Sequence, residues 1–212
     1  MIKTVVRHNK PKILVITPLL TGSKISKETK KTIKRNKTPF MWISYMGDGN
    51  PCKNTQMALN EYKKNSDLPP YIIKIDNDII AQRGMLDTMV NTLEDAPHQV
   101  SYCYCDFEFK GSVNAKFLAI NFDGEYLKKS NYISSCSLIK TKRLMGAGGW
   151  VTDDKGFRLL DWALWLKFLK RGDIGIPTSK TSFVAMASPT SVSARGGGDY
   201  LEKKKWVQDN FI

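Results

Sequence analysis

Three apolar runs of strand length alternate with helical segments in the first half of the chain, and this alternation limits the fold more than any other feature. The runs are Lys12 to Thr17 (KILVIT), Phe40 to Tyr45 (FMWISY) and Tyr71 to Ile75 (YIIKI). Each is short and bounded by turn residues, as expected of strands buried on both faces. Helical patterns lie between and after them: a basic segment capped by Ser23 or Ser26, then Asn54 to Lys64, then Gln82 to Glu94. Repetition of strand and helix predicts a parallel sheet with helices on both faces.

The pattern changes after residue 98. Gln99 to Phe109 alternates aromatic, Cys and acidic residues as a longer strand, and Lys116 to Phe122 and Tyr132 to Ile139 are further strand segments. Arg158 to Lys170 is an amphipathic helix, Ser182 to Ala187 a late strand, and a short basic helix closes the chain. The expectation is one α/β domain over residues 1–212, with a nucleotide-binding half (1–98) and a mixed half (99–212).

The third run ends in Asp76-Asn77-Asp78. Carboxylates at a strand's C-terminal end sit where open α/β sheets bind ligands. Two hard oxygen donors that close together suit Mn or Mg, with substrate phosphates completing the shell. An Asx-rich turn that ends a strand accounts for the same residues.

Four further segments carry polar groups of interest. Thr17-Pro18-Leu19 opens the turn after the first strand, but neither GxGxxG nor a P-loop follows. Asp48-Gly49 follows the second strand, where an acid can accept from a ribose hydroxyl or an imide N–H, or simply make a turn. Asp161 is an isolated acid in the apolar segment Leu159-Leu160-Asp161-Trp162-Ala163-Leu164-Trp165. Burial raises a carboxylate's pKa and suits it to general-base work, while a first-turn Asp is also what the helix dipole favours. Arg195 stands in a Gly-rich loop, where one Arg can clamp a phosphate.

Composition narrows the class. No apolar run reaches membrane-span length and no signal-peptide core follows the first basic residues. Cys52, Cys103, Cys105 and Cys136 form no CxxC pair and only two histidines occur, which disfavours a zinc site. Buried free thiols fit a reducing, cytoplasmic setting. The net charge of +13 is concentrated between Lys24 and Lys37 and at Lys63-Lys64. Without interleaved aromatic residues it reads as solvated surface more than a nucleic-acid site. The rival readings are a nucleotidyltransferase, for which TPLLTGSK is a poor triphosphate loop, and a nucleic-acid-binding or -modifying protein exploiting the basic surface.

Taken in chain order, the nucleotide-style half closing on Asp76-Asn77-Asp78, the Gly146-Ala147-Gly148-Gly149-Trp150 turn and the Asp161-Trp162-Ala163-Leu164-Trp165 segment resemble family 2-type glycosyltransferases of the GT-A fold. The resemblance runs from Lys12 to about Ala187. It is nearest to the N-terminal domain of a chlorovirus enzyme that glycosylates the major capsid protein. That likeness implies a piece of a longer polypeptide working in host cytoplasm. The resemblance implies a UDP-sugar donor of the UDP-rhamnose or UDP-glucose type, Mn2+ or Mg2+, a glycan or glycoprotein acceptor, and inversion at the anomeric carbon. It assigns Thr17, Pro18 and Leu19 to the nucleoside, Asp48 to uracil or ribose, and Asn54 to the donor pocket. Asp76, Asn77 and Asp78 would meet ribose and metal, with Asp78 the direct ligand, and Asp161 would deprotonate the acceptor. Read from the residues alone, an exposed Trp150 beside a cleft acid suits stacking against a sugar ring, and a core Trp at a Gly-rich turn accounts for it equally. The family's acid pair before the Trp is Leu160-Asp161 here, and no His follows residue 98 to supply its late metal ligand.

Overall fold

The computed structural model describes residues 1–188 and 199–212. Among these residues nine strands form one sheet: β1 (Ile2–Arg7), β2 (Ile13–Leu19), β3 (Phe40–Met46), β4 (Tyr71–Lys74), β5 (Ile79–Ala81), β6 (Val100–Gly111), β7 (Ala115–Phe117), β8 (Leu138–Lys140) and β9 (Ile174–Ala187). Their order is β1-β3-β2-β4-β8-β6-β9-β5, with β7 beside β6. β3, β2 and β4 run parallel, β6 and β9 run parallel, and the remaining pairs are antiparallel.

Seven α-helices cover the sheet: α1 (Lys27–Ile33), α2 (Pro51–Asn65), α3 (Met85–Glu94), α4 (Gly124–Lys129), α5 (Thr141–Gly146), α6 (Leu160–Lys170) and α7 (Tyr200–Phe211). β2 is buried at every position, so the two-residue period sends apolar side chains to both faces. Leu14, Ile16, Ile43 and Ile72 pack with α2, α4, α5, α6 and α7 on one face. Ile13, Val15, Trp42 and Ile73 pack with α1 and α3 on the other. Helices lie on both faces as expected, but the sheet is mixed rather than parallel: five of its eight strand pairings are antiparallel.

The crossovers set the site. The chain leaves β2 through α1 to β3, then crosses through α2 to β4 on the opposite side of β2. Because the two connections diverge, a crevice opens at the C-terminal ends of β2 and β4, where such sheets bind ligands.

Several boundaries differ from expectation. α2 begins at Pro51 rather than Asn54, because Asn50 accepts from Lys53 N (2.8 Å) as N-cap and Pro occupies the first turn. The strand expected over Lys116 to Phe122 ends at Phe117, since the Asp106 carboxylate takes Ala119 N (2.7 Å). The strand expected over Tyr132 to Ile139 shrinks to Leu138–Lys140. Asn131 Oδ1 takes Ile133 N and Ser137 Oγ donates to Ser134 O, so local side-chain bonds replace the ladder. β9 begins at Ile174, well before Ser182, and its first part pairs with β6.

Candidate functional site

The end of β4 carries the site. Alternation turns Ile73 and Ile75 to the α3 face and Lys74 and Asp76 to the α2–α6 face. Lys74 is only 5% exposed at its side chain and its ammonium lies 2.6 Å from Asp76 Oδ1, 2.8 Å from Oδ2 and 3.3 Å from Ser135 Oγ. Ser135 reaches it because β8 runs antiparallel to β4, which brings the residues before Leu138 to the same sheet edge. Sequence reasoning missed Lys74, although a lysine inside an otherwise apolar strand two residues before an acid is a readable signal.

Burial works against the Lys74 ammonium, but Asp76 above all, with Cys52 and Asp161, outweighs it and holds the pKa above the ordinary lysine value. Asp78 differs. Burial first, and then the neighbouring Asp76 charge, push its carboxyl up to about 6, with Lys74 offsetting only part. No cation among the described residues forms an ion pair with Asp78.

Asp161, in the first turn of α6, is close enough to Lys74 for the two charges to interact. Burial raises its carboxyl pKa; the Trp162 N–H (2.9 Å), the Lys74 charge and the Asn131 amide (3.3 Å) oppose that rise. Cys52 in α2 responds to Lys74, Asp161 and Asp76 together, and its thiol is pushed up to about 12, chiefly by burial. It is a neutral core thiol there, as are the other three cysteines, all free and buried.

Other expected residues have structural duties. Thr17 is fully buried and its hydroxyl accepts from Trp42 Nε1 (3.0 Å), so its side chain serves the core and not a nucleoside. Pro18 and Leu19 lie inside β2, not in a turn. β2 pairs with β4 only as far as Ile16, so Pro18 lies beyond the last β4 pair. Asn54 is buried and donates to Leu19 O (3.1 Å) and Gly47 O (2.9 Å). It clamps the ends of β2 and β3 together and does not face a donor. Asn77 Nδ2 donates to Lys24 O (3.1 Å), and its carbonyl accepts from Ser26 N and Thr29 Oγ1 at the start of α1. It too is a fastener. Asp48 is exposed at the crevice rim and accepts from the Thr21 hydroxyl, joining the loops after β2 and β3. Arg195 lies outside the described residues.

Trp150 is 6% exposed and packs in the core, so the expected sugar-stacking role is corrected. Its loop is fixed by Gln56, whose Oε1 accepts from Trp150 N (2.8 Å). A Cβ at Gly149 (φ +80°) would lie 2.2 Å from that oxygen, which explains the glycine.

Lys74 is therefore the buried cation that serves Asp76 and Asp161. Lys74→Met is expected to destabilise the fold by about 2–4 kcal/mol, because it leaves partly buried carboxylates without a partner. An unchanged urea midpoint would show that the pair contributes nothing.

Among the described residues no cluster of three or more His, Cys, Asp or Glu can hold a metal. The fit to a divalent cation rests on Asp78, a half-buried carboxylate without a counter-charge, beside an Asp76 already held by Lys74. No helix of the described residues is long and apolar enough to cross a membrane.

The sequence matches no protein-family model and no curated protein. Its fold does match solved structures. S. aureus TarS, residues 1–349, superposes with a TM-score of 0.63 at 14% identity, covering 92% of this chain and 64% of that one. The TarS complex with UDP-GlcNAc gives 0.58 at 13% identity over 92% and 65%. The mannosyltransferase PcManGT from Pyrobaculum calidifontis, in complex with GDP-Man and Mn2+, gives 0.54 at 16% identity over 88% and 60%. The chain thus spans less than two thirds of each of these structures. What they share with it is architecture: a mixed sheet flanked by helices, of the GT-A type.

Proposed function

We propose that the chain is a glycosyltransferase that moves a sugar from a UDP-sugar to a hydroxyl of a glycan, with a divalent cation and inversion. The observation that carries this reading is that Asp78 and Asp161, two half-buried acids with raised pKa values, both lie within the influence of the buried Lys74 at the end of β4. Two carboxyls in different environments suit two different tasks. The fold shared with nucleotide-sugar complexes points the same way.

In this reading the diphosphate lies over the ends of β2 and β4, with Asp48 at the rim for ribose or base. Asp78 would hold Mn2+ or Mg2+ together with the diphosphate, and a bound cation would neutralise the leaving group's growing charge. Lys74 fixes Asp76 in one orientation, so the Asp76 carboxylate meets the donor preorganised. Asp161 takes the proton of the acceptor hydroxyl as it attacks the face opposite the leaving group. Alignment of the two substrates supplies much of the acceleration. The donor types that the sequence likeness implies are UDP-rhamnose and UDP-glucose, and a glycan on a viral capsid protein is the acceptor setting it implies.

A thermal-shift series tests this directly. UDP with Mn2+ is expected to raise Tm more than either alone, since a ligand that binds only the folded state stabilises it by mass action. Absence of a shift with every nucleoside diphosphate and nucleotide sugar would overturn the reading.

A further inference from the structure

With Trp150 in the core, a different aromatic surface lies on the segments that are bonded to the start of α6. Tyr104 on β6 meets Tyr132 edge to face, with centroids 6.1 Å apart, and Tyr132 stacks on Tyr126 of α4 at 5.5 Å and 25°. The ladder runs from the core to solvent: Tyr104 is 1% exposed, Tyr132 half-buried and Tyr126 45% exposed. The outer ring therefore has one face on Tyr132 and the other open.

The stack is held in place. Tyr132 Oη accepts from Asp123 N (2.8 Å) and donates to Asp123 O (3.2 Å), while Asp123 Oδ1 caps α4 by accepting from Tyr126 N (2.9 Å). One residue thus positions both rings.

Two further bonds bring the stack to Asp161. Asn131, adjacent to Tyr132, donates to Asp161 Oδ2 (3.3 Å). Leu127, adjacent to Tyr126, accepts through its carbonyl from Trp162 Nε1 (2.7 Å), the residue after Asp161. Each tyrosine is one residue away from a bond to Asp161 or its neighbour. Ile120, whose carbonyl takes the Tyr104 hydroxyl (2.8 Å), is 44% exposed and extends the apolar surface.

We propose that the open face of Tyr126, bordered by Asn131, is an acceptor subsite for a neutral pyranose ring, which it orients with one hydroxyl toward Asp161. This deepens, and rests on, the glycosyltransferase reading. A pyranose presents C–H groups on its face and hydroxyls at its rim. An aromatic face covers the first, and an amide and a carboxylate at the border accommodate the second. The acids Asp123 and Asp161 disfavour an anionic sugar there, and the nearby Lys128 is already paired with Glu125 (2.6 Å).

Saturation-transfer NMR with the methyl pyranosides of glucose, galactose, mannose, xylose and rhamnose tests the subsite. Calorimetry of UDP with Mn2+ is run in parallel on wild type, Tyr126→Ala and Tyr126→Phe. At least one glycoside is expected to receive transfer at its C–H protons. Tyr126→Ala should weaken its binding about tenfold or more, and Tyr126→Phe should retain it. No transfer to any glycoside in wild type, or equal binding by Tyr126→Ala, overturns the subsite. Both leave the donor reading standing if UDP still binds. Glycoside binding lost in Tyr126→Ala, in a protein that binds no UDP, upholds the subsite and overturns the donor reading.

Discussion

Asp161→Asn is expected to lower sugar transfer by about 10²–10⁴-fold while leaving UDP-sugar affinity unchanged. The amide keeps the size of the carboxylate, and its one oxygen can accept from either the Trp162 N–H or the Asn131 amide, the two donors that meet separate oxygens of the carboxylate. It cannot take a proton. Because burial raises the Asp161 pKa, transfer should fall on the acid side at a higher pH than an unshifted aspartate would give. The carboxylate form is the working base, so the rate rises with pH through that value. Single-turnover product formation and donor calorimetry separate the two effects. Transfer near the wild-type rate would place the base elsewhere. Asp153 and Asp154 are the neighbouring acids, but Asp153 caps a single 3-10 turn over Asp154–Gly156 and Asp154 accepts from Asn50 Nδ2 (2.7 Å).

Asp78→Asn is expected to have two opposite effects. UDP affinity in the presence of Mn2+ should fall to its metal-free level, because the carboxylate without a counter-charge is gone. The unliganded protein should become more stable at pH 8, by about 1–2 kcal/mol once solvent exposure is allowed for. The sign follows from the raised pKa. With a folded value of about 6 and an unfolded value near 4, the wild-type penalty is absent below the unfolded value. It grows as pH rises through the folded one and is complete above it. The two proteins should therefore unfold at similar urea concentrations near pH 4 and diverge at pH 8. Equal midpoints at pH 8 would refute a costly Asp78 charge; retained Mn2+-dependent affinity would refute its role toward the cation. A site group that destabilises its own fold is a common trade of stability for activity.

The parallel strands were legible because burial on both faces leaves an unbroken apolar run, visible without any partner. Asp76, Asp78 and Asp161 were legible as acids at odds with apolar surroundings. Asn54 and Asn77 misled for a related reason. A polar residue beside a sheet edge looks the same in sequence whether it faces a ligand or ties down a carbonyl, and the choice is made by backbone groups far along the chain. Asn54 binds Leu19 O and Gly47 O; Asn77 binds Lys24 O. Short strands such as β1 and β5 escaped notice because their stability comes from the neighbour they pair with.

Sequence by itself determined a two-faced α/β sheet and put a carboxylate pair at the end of its third apolar run, because periodicity and chemical type are local properties. Tertiary structure decided which acid is already claimed. Lys74 lies on the same strand face as Asp76 and pairs with it, while Asp78 feels that charge only in part and forms no ion pair among the described residues. It also decided which aromatic ring can meet a sugar. Trp150 is enclosed by packing, and Tyr126 is left 45% exposed on a helix that is bonded to Trp162 through the Leu127 carbonyl. Both outcomes depend on distance and burial, which arise only when remote segments share one crevice.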